Sequence, residues 1–317
     1  MAADRQRIED ALVAAVDTKD PYLNELARHL IVAGGKRIRP VLTVASARAA
    51  GDPLDGGVID AVVQGGIACE LVQTGSLYHD DVIDESATRR GVETVNAKWG
   101  NLQAILAGDF LLARASEIAA SLGAEVAGLL GNTIARLCEG EIEQLRHTYD
   151  VGRPEVSYFS SIAGKTASLF STAARIGGIV AGLDRAHIDA LTAYGLSYGM
   201  VFQIVDDVLD IIATEDQLGK PAGHDMVEGV YTLPVLHTLA HPGVAADELS
   251  DLLGHALDPV VRDKALSIVR SGPGVAYAID IAKNYVQAAI DACAALPDSV
   301  ATAALAAAPG ALLDAVR

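Results

Sequence analysis

An all-α fold is what this sequence predicts, on three observations. Apolar residues recur at helical spacing along nearly the whole chain, and no stretch alternates with the period of a strand. Breakers containing Gly or Pro separate one periodic stretch from the next. Taken in order, the pattern places helices over 5–17, 21–33 and 38–50, the third closed by Gly51-Asp52-Pro53. A long helix follows over 57–85, apolar around much of its circumference, which marks a central element wrapped by others. Helices over 101–121 and 123–147 lead to Gly152-Arg153-Pro154, and 155–182 carries an expected break at Gly164. The span 185–213 is helical, and 231–240 ends at His241-Pro242-Gly243. Helices over 245–256 and 259–271 precede Ser271-Gly272-Pro273-Gly274, and 273–294 and an Ala-rich 298–315 complete the chain. The longest stretches without helical pattern, 86–100 and 214–230, each follow an aspartate-rich helix end; long loops on a rigid scaffold commonly carry function. No low-complexity linker divides the chain, so residues 1–317 read as one domain.

Of 317 residues, 51% are apolar, ample for a sizeable core. A net charge of −17 argues against a general nucleic-acid binder or a protein held by charge to an anionic membrane. Cys69, Cys138 and Cys293 are scattered and form no C-x-x-C pair, which reads as reduced core residues of a cytosolic protein. The N-terminus meets Asp4 early and lacks a long apolar region, so no secretion signal is expected. No run of about 18 apolar residues is present, and a cytoplasmic protein without a membrane span is expected.

The chemistry-bearing residues concentrate first in Glu70–Gly91, ELVQTGSLYHDDVIDESATRRG. Asp80 and Asp84 stand four apart, so both carboxylates project from one helix face, and Gln73 lies on the same stripe. Like charges at that spacing repel, the more so away from water, and a cation belongs between them. Arg89 and Arg90 directly after the acidic turn point to a shared anion. The pattern returns in GMVFQIVDDVLDIIA, where Asp206, Asp207 and Asp210 sit in an apolar helix with Gln203 on their face. One such D-D-x-x-D is often just a solvated helix end. Two copies, each with a glutamine and a following loop that contains Gly and Arg or Lys, call for a ligand. Carboxylate oxygens suit hard cations, and Mg²⁺ takes one or two of them and completes its octahedron with water and phosphate oxygens. Two facing clusters would hold several Mg²⁺ ions with a diphosphate between them.

Gly34-Gly35-Lys36-Arg37-Ile38-Arg39-Pro40 is a dense positive patch at a helix start in an otherwise acidic chain. Its glycines allow close backbone approach, the helix N-terminus adds its positive end, and Pro40 suits the first turn. Taken alone, such a run is commonly a solvated face. Gly164-Lys165-Thr166 looks like the tail of a phosphate-binding loop, but that motif needs glycine at position 159, which is Phe159. Lys220 follows the second cluster and is placed to reach back to it. The eight histidines show no ligand spacing, and His79 falls about 100° off the Asp80 face, as a structural neighbour would.

In this order, Gly34-Gly35-Lys36-x-x-Arg39-Pro40, Asp80-Asp81-x-x-Asp84 with Arg89-Arg90-Gly91, Gly164-Lys165-Thr166, Phe202-Gln203-x-x-Asp206-Asp207-x-x-Asp210 and Gly219-Lys220 resemble the motifs of the trans-isoprenyl diphosphate synthases, the polyprenyl synthetase family. The resemblance runs from about residue 34 to residue 236. It implies a single-domain isoprenoid-synthase-type helical bundle around a central apolar cavity, usually a homodimer. It also implies head-to-tail condensation of an allylic diphosphate with isopentenyl diphosphate, with about three Mg²⁺ ions. By motif position Asp80, Asp84 and Asp206 are the main Mg²⁺ ligands, with Asp81 and Asp210 in support. Lys36, Arg39, Gln73 and Arg90 match the isopentenyl-diphosphate contacts. Arg89, Lys165, Thr166, Gln203 and Lys220 match the allylic-diphosphate contacts. Where the family often has a lysine in Gly-Lys-x-Thr-Leu-Pro, this chain has Val230, so weakened or re-routed phosphate contacts are expected.

Product length is read from the residues just before Asp80. Family members making short products commonly plug this place with Phe or Tyr, whereas here it holds Gly75 and Ser76, with Val72 a turn further on. One turn rises about 5.4 Å, roughly one extended isoprene unit, and an open path there implies a product of about six to ten units. The competing reading is that Gly75 merely packs against a neighbouring helix; a plug from elsewhere would then make geranylgeranyl diphosphate the product. A class I terpene cyclase would carry Asn/Asp-x-x-Ser/Thr-x-x-x-Glu in place of the second D-D-x-x-D. A non-catalytic subunit of a heteromeric synthase would have lost one aspartate cluster, and this chain keeps both.

Overall fold

The computed structural model describes residues 2–50, 54–214 and 221–316, and the described chain is helical almost throughout. In chain order the helices are α1 (Ala2–Ala15), α2 (Pro21–Val32), α3 (Ile38–Ala47), α4 (Gly56–Ile83), α5 (Val95–Trp99), α6 (Asn101–Ser121), α7 (Ala124–Leu145) and α8 (Glu155–Ile162). A π-helical turn, Ala163–Ala167, leads into α9 (Ser168–Val180) and then α10 (Arg185–Ile212). The remainder are α11 (His224–Val227), α12 (Leu233–Ala240), α13 (Val244–Leu252), α14 (Pro259–Ser271), α15 (Gly274–Cys293) and α16 (Val300–Leu313). The expected break at Gly164 is therefore a π turn within a continuing helical path. The stretch 86–100 holds a two-residue hairpin, β1 (Thr88–Arg89) with β2 (Val92–Glu93), followed by α5.

The chain packs as two compact units. The first comprises Met1–Ile134, Leu169–Gly195 and Cys293–Leu305. Its centre is α4, whose buried stripe includes Val62, Ile67, Leu71 and Val72 and which packs mainly on α6 and α3. Asp55 caps its start by accepting from the Gly57 amide at 2.8 Å, as an N-terminal carboxylate should. Tyr78 locks the other end: its buried hydroxyl donates to Leu26 O at 2.7 Å and accepts from the Leu30 amide at 3.3 Å. Where α4 meets α6, glycines bring the backbones together. A Cβ at Gly75 would lie 3.0 Å from Gly108 O, and one at Gly108 would lie 2.4 Å from His79 Nε2.

The second unit comprises Ala135–Ser168, Leu196–Ala292 and Ala306–Arg317. Its core gathers Tyr158, Val201, Ile204, Val208, Tyr231 and Leu233, so the apolar face of α10 that is buried here is the one opposite Asp206. One expectation about packing is corrected: Cys69 and Cys293 are buried, but Cys138 lies exposed on the outer stripe of α7. A small apolar residue on a helix carries no local signal of the face it occupies, so only the packing could place it.

Candidate active site

Asp80 and Asp84 close α4. Asp80 is half-buried in the last turn, and Asp84 is the exposed C-cap residue, its amide donating to Asp80 O at 2.8 Å. Two carboxylates at the negative end of a helix oppose its dipole, which raises the demand for a cation. Asp81 is different, being only 1% exposed and turned inward. Its Oδ1 accepts from Arg89 Nε, and its backbone carbonyl holds the following loop through Asn96 Nδ2 at 2.9 Å. Burial pushes the Asp81 carboxyl above the usual range while the Arg89 guanidinium pulls it back. Its Oδ2 is buried without a hydrogen-bond partner.

The hairpin places the two arginines. Arg90 and Gly91 both take positive φ, 55° and 78°, as a two-residue type I′ turn requires. Arg90 Nη1 donates to Leu30 O at 2.8 Å and Gly34 O at 2.7 Å, so it pins the Gly34-Gly35 loop. Within that loop Lys36 is exposed, and Arg39 stacks its guanidinium 4.5 Å above the Phe170 ring. Arg37 is the buried member, bonded to Glu9 at 3.0 Å, Glu70 at 3.2 Å and Ile31 O at 2.6 Å. The sequence hides that division of labour, since the three cations differ only in which way the αL residue Arg37 turns the chain. Gln73 is half-buried on α4, one turn beyond Glu70.

The second cluster repeats the construction. Asp206 is exposed, while Asp207 and Asp210 are 3% and 5% exposed. Asp207 accepts from Tyr158 Oη at 2.6 Å and from Gln203 Nε2 at 2.8 Å, and Gln203 Oε1 accepts from Thr166 Oγ1 at 2.7 Å. Both ends of the Gln203 amide are thus engaged within the protein. Asp210 steadies the segment after the cluster, accepting from the Asp225 amide at 3.3 Å through Oδ2 and from the Gly223 amide at 2.8 Å through its carbonyl. Lys165 and Thr166 stand in the π turn, a geometry frequent at functional sites, with Lys165 Nζ 2.5 Å from Glu141 Oε2. Val230 is half-buried, its amide on Asp225 O at 2.8 Å. Lys220 lies outside the described residues.

Burial pushes the Asp207 carboxyl up to about 7, against the Tyr158 and Gln203 donors that pull it down and with Asp206 and Asp210 adding to the rise. Its unfolded value is near that of an ordinary carboxyl, so between about pH 4 and pH 7 the folded state binds more protons than the unfolded state. The sign follows: in metal-free protein the contribution of this carboxyl to stability declines as pH rises through that window and is flat above it. Asp207→Asn is expected to flatten the decline, leaving the variant a few degrees more stable than the parent near pH 8 by calorimetry in EDTA. A difference between parent and variant that does not change across the window would refute the assignment.

Among the described residues no three carboxylate, imidazole or thiol groups converge as a closed metal cage. The all-oxygen donor set and the orphaned Asp81 Oδ2 fit a hard cation such as Mg²⁺. Of the three residues linked to product length, Val72 is fully buried and Ser76 half-buried, its hydroxyl on Gln73 O at 3.0 Å. Gly75 is buried on α4. Its Cβ direction runs toward Gly108 O, Leu111 and Leu112 of α6, the contact that the packing alternative describes. His79, with Nε2 3.2 Å from Ile105 O and 3.5 Å from Asp109 Oδ1, is the structural neighbour expected. Tyr158 and Arg153 were not singled out by the sequence; a tyrosine one residue type among many in an apolar helix carries no spacing signal.

A family model described as polyprenyl synthetase matches residues 20–267. A nonaprenyl diphosphate synthase of Mycobacterium tuberculosis is 39% identical over 95% of this chain and 89% of its own length. An octaprenyl diphosphate synthase of Haemophilus influenzae is 36% identical over 93% of this chain and 89% of its own. The crystal structure of a polyprenyl synthase from Caulobacter crescentus, complexed with calcium and isoprenyl diphosphate, superposes with a TM-score of 0.92 at 33% identity, covering 100% of this chain and 95% of that one.

Proposed function

The chain belongs to the polyprenyl synthetase family, and on that premise we propose that it joins an allylic prenyl diphosphate to isopentenyl diphosphate head to tail. The product is an all-trans polyprenyl diphosphate of about six to ten isoprene units. The observation that carries this reading is the shared construction of the two D-D-x-x-D segments. In each, the first aspartate stays at least partly open while the second is buried and bonded within the protein.

Asp80, Asp84 and Asp206 would hold Mg²⁺, with Asp81 and Asp210 in support. When bound, the metal stabilises the charge that develops on the departing diphosphate. Arg89, Lys165, Thr166, Gln203 and Lys220 bind and orient the allylic diphosphate. Lys36, Arg39, Gln73 and Arg90 hold isopentenyl diphosphate so that its double bond meets the allylic cation. The apolar lining of the helices excludes water from that cation. In this reading the departed diphosphate takes the final proton. The two compact units work in this reading as one polyprenyl synthetase domain.

We further infer a homodimer from α6. Leu102, Ile105 and Leu106 are 65%, 41% and 56% exposed and share one face, a stripe that a second copy would cover. No helix among the described residues is long and apolar enough to cross a membrane.

One assay tests the reading. Purified protein with Mg²⁺, farnesyl diphosphate and labelled isopentenyl diphosphate should give products longer than geranylgeranyl diphosphate by reversed-phase chromatography, and none in EDTA. Light scattering on the same preparation should give twice the chain mass. A product stopping at geranylgeranyl diphosphate would favour the shorter-chain synthase, and no elongation without a second protein would favour a subunit.

A further inference from the structure

Tyr158, at the middle of α8, is 1% exposed, yet the reaction as described makes no use of it. Its hydroxyl donates to Asp207 Oδ2 at 2.6 Å. Two turns on, Thr166 donates to Gln203 Oε1 at 2.7 Å, and Gln203 Nε2 returns to Asp207 Oδ1 at 2.8 Å. These four side chains tie α8 and the π turn, at two points, to the turn of α10 that carries Asp206.

The outer end of α8 is held by Arg153, which is 5% exposed. Nη2 donates to Ser161 Oγ at 2.7 Å, Nη1 to Tyr231 O at 3.3 Å and Nε to Ser157 Oγ at 3.4 Å. Ser161 in turn donates to Tyr158 O at 2.8 Å. A buried guanidinium bonded to hydroxyls and a carbonyl needs an anion in its field to offset lost hydration. Asp207 lies within that field, and the Tyr158 ring centroid is 5.8 Å from Arg153 Cζ. Arg153 also grips the chain at Tyr231, while Tyr149 takes Gly229 O at 2.8 Å through its amide. The turn that carries Tyr149 and Arg153 therefore brackets Val230.

We propose that Arg153 and Tyr158 are positioning residues for the allylic-diphosphate half of the reaction. They hold Asp207, and with it Gln203, Thr166 and the α10 turn that presents Asp206, in one arrangement. This rests on the family reaction proposed above. Outer-sphere partners of this kind commonly change metal or ligand affinity by about 10-fold or more when removed.

The test compares Tyr158→Phe, Arg153→Met and Arg153→Lys with the parent. Tyr158→Phe should raise the KM for farnesyl diphosphate about 10-fold and leave that for isopentenyl diphosphate within about 2-fold. Calorimetric titration of Mg²⁺ with inorganic diphosphate should weaken by a similar factor, at a melting temperature close to the parent's. Arg153→Lys should recover part of what Arg153→Met loses. If the parent elongates and Tyr158→Phe keeps its allylic KM and diphosphate affinity, the proposal fails alone. Equal loss for both substrates in step with melting temperature would also overturn it, as mere structural damage. A parent that elongates nothing would remove the reading beneath it.

Discussion

Asp80→Asn is expected to lower kcat by about 10³-fold or more while shifting the melting temperature by only a degree or two. Asp80 is half-buried at the last turn of α4, and the isosteric amide keeps its shape there, so the helix should stay intact. What the substitution takes away is a negative ligand at a helix end already rich in negative potential, where Mg²⁺ would bind and offset the leaving-group charge. The contrast lies one residue on. Asp81→Asn removes the charge that orients Arg89 from a carboxyl that burial already pushes above its usual range, so that variant should raise the KM for the allylic diphosphate and leave stability nearly unchanged. Steady-state kinetics with calorimetry on both variants checks the difference. An Asp80→Asn enzyme within about 10-fold of the parent would remove Asp80 from the metal site.

Ser76→Phe carries the second large effect: the product distribution should contract by several isoprene units with little change in stability. Ser76 is half-buried, its hydroxyl donating to the Gln73 carbonyl at 3.0 Å, and sits one turn before Asp80. In the proposed reading, a phenyl ring there obstructs the product's path alongside α4. Gly75→Phe should behave otherwise. Its added atoms meet Gly108 O at 3.0 Å and Leu112 Cγ at 3.3 Å, so α4 and α6 must separate. Overpacking of this sort costs about 1–3 kcal/mol, seen as a lower melting temperature. Reversed-phase chromatography of the products, beside thermal melts of both variants, separates the two roles. Unchanged products from Ser76→Phe would end its assignment to chain length.

The helical class, most helix boundaries to within a few residues, and the candidates for chemistry are legible in the residues alone. These features are local: apolar periodicity, breakers such as Gly152-Arg153-Pro154, and carboxylates four apart act over one or two turns and can be read without knowing what lies opposite. The break at Gly164 was legible for the same reason, though its form as a π turn was not. Which member of each D-D-x-x-D turns inward shows only in the folded chain, because Asp81 and Asp207 are identified by Arg89 in the hairpin and Tyr158 on α8, partners outside their own helices. The folded chain likewise places Gly75 at the crossing with Gly108, puts Cys138 on the surface and makes Arg37 the buried cation among its neighbours. A residue's type and spacing state what it can do, whereas burial and partnership depend on chain far away in sequence, and no local pattern encodes them.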